Sequence, residues 1–158
     1  MQFRLTGMLA ATALIAACAT TSAPVPIADT TARAPQLTTL TRLVTEAGLA
    51  DTLRDAGPYT LFAPSDEALK AVPAATMQEL ARDKQRLKEV LTFHVLPGKL
   101  MAADIKNSNV KSVQGANLAL SKAGTFVTVE DAVVTQADVV ASNGVVHVID
   151  RVRLPPKR

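Results

Sequence analysis

The chain has 158 residues, of which 48% are hydrophobic and 20% are charged, so its length and composition suit a single globular domain. The 17 basic and 14 acidic side chains give a formal net charge of +3, and the basic residues form no long cluster. The sequence has no tryptophan, four phenylalanines and one tyrosine. It therefore lacks the basic stripe and the aromatic stacking platforms typical of nucleic-acid-binding proteins, and we expect no nucleic-acid partner.

The first residues have the organisation of an export signal. A short start with one positive charge, at Arg4, precedes an apolar run over residues 5–17. This run is shorter than the roughly 20 residues that span a bilayer as a helix, and it is typical of the apolar part of a secretory signal peptide. We predict that residues 1–17 are a signal peptide that is absent from the mature protein.

Cys18, the only cysteine, excludes an internal disulfide and a multi-cysteine metal site. Residues 14–18 read LIAAC and resemble the lipobox of bacterial lipoproteins, whose cysteine is acylated and becomes the mature N-terminus. The alternative is an ordinary signal peptide with an incidental cysteine. The resemblance implies lipidation at Cys18, and Ala19 at a position where aspartate causes retention in the inner membrane implies an outer-membrane protein, on the periplasmic or the surface face.

Residues 18–35 are predicted to be the acylated cysteine and a disordered tether. Most of residues 19–35 are Ala, Thr, Ser or Pro, and the prolines at 24, 26 and 35 remove backbone donors and favour extended conformations. Such a segment could reach roughly 50 Å from a membrane. We place the start of the folded domain at Gln36 and let the domain, with a short tail, extend to residue 158.

Helical patterns dominate the first part of the predicted domain. Apolar residues at helical spacing predict a helix over residues 37–47 and a second short helix around residue 52. The β-branched and aromatic residues of 59–63 (YTLFA) predict a strand. Ser65 can cap the helix that follows, and Asp66 lies in its first turn, where the helix dipole favours an acid.

Two further helices are predicted before the pattern changes. Residues 76–79 (TMQE) match a capping box, and Asp83 is placed to start the next helix. His94 continues the apolar stripe of that helix, so we expect its ring to lie in the core with its nitrogens hydrogen-bonded. The stripe consists of Leu87, Val90 and Leu91.

Short strands are predicted after residue 98. The β-rich runs, separated by turn signals, cover residues 110–113, 118–121, 125–130, 133–136 and 145–154. Alternation along the last run puts Asp150 on the apolar side and His147 on the other face, so we expect Asp150 to be buried beside a hydrogen-bond donor. Helices followed by strands predict an α+β fold with an antiparallel or mixed sheet.

Three segments resemble, in order and spacing, the signature blocks of fasciclin-like domains. They are residues 59–69 (YTLFAPSDEAL), 90–98 (VLTFHVLPG) and 142–152 (SNGVVHVIDRV). The resemblance extends over residues 36–154 and implies a compact β wedge or sandwich with short helices packed at one end. The structural signature residues that the resemblance implies are Asp66, His94, Asn143, Gly144, His147 and Asp150.

The resemblance implies a non-enzymatic binding or adhesion module of the cell envelope. Its central segment is implicated in receptor contact in some animal relatives, so the resemblance implies Phe93 and His94, where many relatives have Tyr-His, as the candidate binding residues. The expected partners are a membrane, through the lipid, and an envelope protein, glycan or matrix component. The alternative is a lipoprotein that binds a small molecule or lipid. The first function predicts an exposed patch near Phe93, and the second predicts an enclosed apolar pocket.

No sequence pattern indicates catalysis or a cofactor. The two histidines, His94 and His147, are far apart and have no metal-ligand spacing. No Gly-x-Ser-x-Gly elbow is present, and Asp66 and Glu67, as neighbours on a helix, do not face each other. We therefore predict no catalytic residue, no metal and no cofactor.

Overall fold

The computed structural model describes residues 23–55 and 57–156. Cys18 and the predicted signal peptide lie outside these residues. The helices are α1 (Ile27–Arg33), α2 (Thr38–Glu46), α3 (Asp66–Lys70), α4 (Ala74–Arg82) and α5 (Lys84–Phe93), with a short 3-10 helix at Pro35–Leu37. The strands are β1 (Tyr59–Pro64), β2 (Val95–Pro97), β3 (Ser108–Lys111), β4 (Asn117–Ala123), β5 (Phe126–Val129), β6 (Ala132–Ala141) and β7 (Gly144–Ile149). The predicted α+β class is confirmed. Within the described residues, no helix is long and apolar enough to cross a bilayer.

Local capping signals locate two of the helix starts correctly. The Ser65 side chain accepts a hydrogen bond from the backbone N–H of Ala68 and caps α3, and the Asp83 side chain caps α5. The predicted capping box at 76–79 is wrong, because α4 begins at Ala74 directly after Pro73. The predicted short helix around residue 52 is a turn.

The seven strands form one mixed sheet in the order β2-β1-β7-β6-β5-β4-β3. The central strands β1 and β7 run parallel, and β6 pairs with β7 with two register shifts between Val134 and Val139, which bend the strand. The sheet then curls back on itself. Its return is marked by the backbone N–H of Val113, just after β3, which donates to the carbonyl of Val95 in β2 at 2.8 Å.

The two central strands separate two hydrophobic cores. Leu61 and Ala63 of β1 point towards the helices, and Phe62 points into the curl of the sheet. In β7, Val146 and Val148 lie on the helix side and Ile149 lies on the other side. Every residue of β7 is buried, as is usual for a strand covered on both faces, so neither face of this strand meets solvent.

The N-terminal boundary differs from the sequence prediction. Residues 27–33 form helix α1 instead of a disordered tether, and Ile27 is 0% exposed in the helix-side core. Local composition misleads here because the stabilising contacts come from residues far along the chain. The backbone N–H of Ile27 donates to the side-chain oxygen of Asn143 at 2.8 Å, across 116 residues. The folded domain therefore begins before Gln36.

We predict that a chain starting at Gln36 is much less stable than one starting at Ala19. Truncation removes α1 and exposes the core contacts of Ile27, and Ile27→Ala alone should lower the free energy of unfolding by about 2–5 kcal/mol. Urea unfolding followed by circular dichroism measures both effects. Arg33→Ala, at an exposed position of the same helix, is the control and should change stability by less than about 0.5 kcal/mol. Equal unfolding midpoints for the two chain lengths would contradict the packing role of α1.

Candidate functional site

Asn143 joins three separate segments of the chain at the turn between β6 and β7. Its side-chain oxygen accepts from the backbone N–H of Ile27, and its side-chain nitrogen donates to the carbonyls of Leu53 and Asp55, both at 2.7 Å. Its own carbonyl accepts from the backbone N–H of Tyr59. One amide side chain thus holds the start of α1, the turn after α2 and the start of β1 in place.

Gly144 is required because backbone passes directly over it. A side-chain carbon at this position would lie 1.8 Å from the carbonyl oxygen of Tyr59, its partner in the parallel β1–β7 pair. Only a residue without a Cβ permits this approach. The Asn-Gly pair is therefore a structural junction, and its function in the fold explains both residue types.

His147 connects β7 to the far side of the sheet. The backbone N–H of Asp138 donates to His147 Nδ1 at 3.1 Å, so Nε2 carries the proton and donates to the carbonyl of Leu100 at 2.7 Å. The ring stacks on Phe62, with ring centroids 5.4 Å apart. Asp138 has a φ of 57° at the bend of β6, and its carboxylate accepts from the N–H of Ala102.

His94 makes the matching pair of bonds at the end of α5. The backbone N–H of Arg153 donates to Nε2 at 3.2 Å, so Nδ1 carries the proton and donates to the carbonyl of Val90 at 2.7 Å. The side chain is 1% exposed, and its core position, predicted from the helical stripe, is confirmed. His94 therefore attaches the segment after β7 to α5.

The two signature carboxylates each accept a backbone hydrogen bond. Asp66 accepts from the N–H of Thr39 in the first turn of α2 at 2.8 Å, where the helix dipole favours the negative charge. Asp150 accepts from the N–H of Val133 at 2.7 Å. The prediction that Asp150 is buried is wrong. Strand β7 ends at Ile149, so the alternation does not reach Asp150, and this residue is exposed.

Phe93 does not form the exposed patch that was predicted around it. Its side chain is 4% exposed and lies in the core inside the curl of the sheet, with its ring edge-on to that of His94. Neither member of the Phe93-His94 pair presents its side chain to solvent. Phe93 is the last residue of α5 and packs in the core inside the curl of the sheet, whereas the residues of the helical stripe pack in the helix-side core.

Thr60 is a further positioning residue, and no sequence signal marks it. It is 0% exposed, its hydroxyl donates to the carbonyl of Gly98 at 2.7 Å, and the same oxygen accepts from the N–H of Leu100 at 2.8 Å. Thr60 thus fixes the loop at residues 98–100, and the carbonyl of Leu100 in this loop accepts the hydrogen bond from His147. Threonine is common in strands because of its β propensity, so its presence in β1 does not indicate these two hydrogen bonds.

The comparison with known families decides the assignment of the chain. A family model described as Fasciclin domain matches residues 35–155. The chain belongs to the fasciclin domain family. The resemblance predicted from the three signature blocks is confirmed, and helix α1 lies just outside the matched residues.

Other fasciclin proteins resemble this chain over most of its length. A Synechocystis protein, sll1483, is 41% identical over 146 residues, which cover 91% of this chain and 81% of that protein. The cell surface glycolipoprotein MPB83 of Mycobacterium bovis is 35% identical over 136 residues, 83% of this chain and 61% of that protein. The solved structure of a FAS1 domain pair from the insect cell adhesion molecule Fasciclin I matches with a TM-score of 0.73 at 15% identity, covering 83% of this chain and 51% of that one. This last match shows the fold alone.

The surface of this fasciclin domain has shallow grooves that open to solvent. One groove of about 580 Å³ brings Asp66 and Asp150 together, with Glu67 and Lys70 beside them. A smaller one of about 260 Å³ is mainly apolar and lies between the end of α3 and Val152. In residues 23–55 and 57–156 no group of three metal-ligating side chains could hold an ion.

The histidines of this fasciclin domain are held in the neutral form. Burial lowers the pKa of His94 to about 4, against the bond to Val90, which favours the charged form, and the charge of Arg153 lowers it further. Burial also lowers the pKa of His147, although the bond to Leu100 opposes it. Protonation would turn each accepting nitrogen into a donor that faces a backbone N–H, so each charged form loses a hydrogen bond.

We predict that acid destabilises the domain through His94. The unfolded chain binds a proton at this residue near pH 6.5 and the folded chain near pH 4, so the stability that neutral His94 contributes is present above pH 6.5 and is lost as the pH falls towards 4. The loss amounts to about 1.4 kcal/mol per pH unit in this window. Urea unfolding at several pH values should give a steeper dependence for wild type than for His94→Gln, which keeps a donor and an acceptor but does not titrate.

A direct measurement covers the case in which His94→Gln does not fold. The ring resonances of His94 in folded wild-type protein, followed by NMR, should not titrate between pH 7 and 5. A transition of the His94 ring near pH 6.5, or equal pH dependence of the two proteins, would contradict the buried neutral state.

Proposed function

We propose that this chain is a non-enzymatic binding or adhesion module of the cell envelope, anchored to the outer membrane by a lipid on Cys18. Its partner is an envelope protein, a glycan or a matrix component. The observation that carries the proposal is the combination of a fasciclin domain over residues 35–155 with the LIAAC segment that ends at Cys18.

The use of the polar side chains supports a function without catalysis. His94, His147, Asp66 and Asp150 each bond to backbone groups of the domain itself. A general base or nucleophile has to reach a substrate, and both histidines are buried and occupied at both ring nitrogens. The hydrogen bonds within the domain thus explain these four polar side chains without a catalytic role.

Relatives support the envelope location. A cell surface glycolipoprotein shares 35% identity with this chain, and a cell adhesion molecule has the same fold. Because the side chains of Phe93 and His94 are buried, we place the proposed partner contact elsewhere. Phe126, which starts β5 and is 68% exposed, is our candidate contact, since aromatic side chains are enriched in protein interfaces.

We predict that Cys18→Ser releases the protein from membranes. Without a thiol the chain cannot be acylated, while the domain, whose described core lies beyond residue 23, keeps its fold. The measurement is fractionation of a bacterial host that processes lipoproteins, with incorporation of an alkyne-labelled fatty acid read on the same samples. Ala19→Ser, which changes the next residue and keeps the thiol, is the control and should remain membrane-bound and labelled. Identical soluble behaviour of wild type and Cys18→Ser would refute the anchor.

We predict that the soluble domain, residues 19–158, retains an envelope or matrix component from solubilised fractions and that Phe126→Ser weakens this retention at least tenfold. The readout is saturable binding to immobilised domain, with heat-denatured domain as the control for adhesion to unfolded protein. His94→Gln, folded at pH 7.5, should bind like wild type because the ring is buried. Loss of binding by a folded His94→Gln protein would make His94 a contact residue. A small molecule or lipid released from the purified domain, detected by native mass spectrometry, would favour the alternative function.

A further inference from the structure

Two hydrogen bonds hold the point at which the chain enters the folded domain. The carbonyl of Val25 accepts from the backbone N–H of Ser142 at 2.9 Å, and the next bond along the chain joins the N–H of Ile27 to the side chain of Asn143. Both contacts lie at the turn between β6 and β7. The chain therefore enters the domain at this turn, whatever residues precede Val25 in the sequence.

Very little chain separates this point from the proposed lipid. Cys18 and Val25 are seven residues apart in the sequence, and a fully extended chain spans at most about 3.6 Å per residue, or about 25 Å here. A tether that ended at residue 35 would be about twice as long, and helix α1 takes up that extra length. A lipid on Cys18 therefore holds the entry point within about 25 Å of the bilayer.

This reach is short compared with the size of the domain. A folded unit of residues 23–156 has a radius of gyration of about 14 Å, equivalent to a sphere about 36 Å across. To turn its opposite side to the bilayer, the connecting segment would have to pass half-way round this sphere, which is about 57 Å for that diameter. A segment of about 25 Å cannot do so.

The surface around the entry point is open and largely apolar. A groove of about 270 Å³ lies between the first described residues, α1 and the end of β6. Val140, in this groove, is 48% exposed. Arg33 also lines it and forms no ion pair with the described residues, whereas nearby Asp29 is paired with Arg54.

We propose that this entry face, formed by residues 23–34 and 139–142, lies against the lipid bilayer in the anchored protein. The inference rests on the proposed lipid at Cys18, and its occupant is the membrane surface itself. The short connection imposes the orientation, and the groove tolerates the proximity of headgroups because Arg33 is the only charged side chain among the described residues that line it. Since the connection sets the orientation, we expect the same orientation on zwitterionic and on anionic bilayers.

The test couples the mature chain, residues 18–158, through the thiol of Cys18 to maleimide lipids in phosphatidylcholine nanodiscs whose headgroups carry nitroxide labels. Chemical coupling supplies the anchor, so this experiment is independent of whether a cell acylates Cys18, which the fractionation of Cys18→Ser decides. Amide NMR signals should broaden strongly for residues 30–34 and 139–142 and at least threefold less for β3 and β4. Equal broadening of all surfaces, or stronger broadening of β3 and β4, would overturn the proposal.

Two matched variants test the cause of the orientation. A 25-residue Gly/Ser insertion after Ala19 should abolish the preference for the entry face, and the same insertion after Arg158 should leave it unchanged. Moving the attachment point, by Cys18→Ser together with a cysteine added after Arg158, should shift the broadening to residues near Leu154. If the entry face stayed closest to the lipid in the long-linker or relocated protein, the orientation would not come from the short connection, and the proposal would be wrong.

Discussion

The hydrogen bonds of the Asn143 side chain are the interaction on which the rest of this structure depends. A single amide satisfies the first backbone N–H of α1 and two carbonyls of the turn after α2, and its neighbour Gly144 allows β1 to approach β7 without a side chain between them. Ile27 and Leu53 are buried, and a buried backbone group left without a partner costs about 1–3 kcal/mol. Asparagine suits this position because its side chain offers both an acceptor and two donors.

The same logic governs the two histidines. Each neutral ring combines one donor and one acceptor, and each sits between a backbone carbonyl and a backbone N–H. His147 ties the bent middle of β6 and the loop at Leu100 to β7, and His94 ties the segment after β7 to α5. The polar signature residues of the family therefore act mainly on backbone groups at the ends of helices and strands, at the bend of β6 and in loops, where a regular ladder does not satisfy every group.

Sequence reasoning succeeded where the deciding contacts are local. The caps at Ser65 and Asp83 bond to residues two or three positions away, and the placement of His94 follows from the stripe of its own helix. It failed where the partner is distant. Ile27 lies in an Ala/Thr/Pro-rich segment whose folding depends on Asn143, more than 100 positions later.

Two other positions show the same limit. Asp150 was placed inside by alternation that continued beyond the real end of β7, and Thr60 carries two bonds across about 40 residues that no spacing rule predicts. The family resemblance predicted the fold correctly because the signature blocks of a family reflect contacts between segments that are distant in sequence. The side chain of Phe93, the predicted contact residue, is likewise buried, in the core inside the curl of the sheet.

The parallel pairing of β1 with β7 has a consequence for the stage at which this chain can complete its fold. Residues 59–64 pair in parallel with residues 144–149, far later in the chain. Helix α1 is bonded to Asn143, in the turn that precedes the same strand. During synthesis, which starts at the N-terminus, most of the chain therefore emerges before the strand that completes its sheet. Contacts of such high sequence separation form late. The sheet and the docking of α1 can therefore be completed only when nearly all of the chain is available.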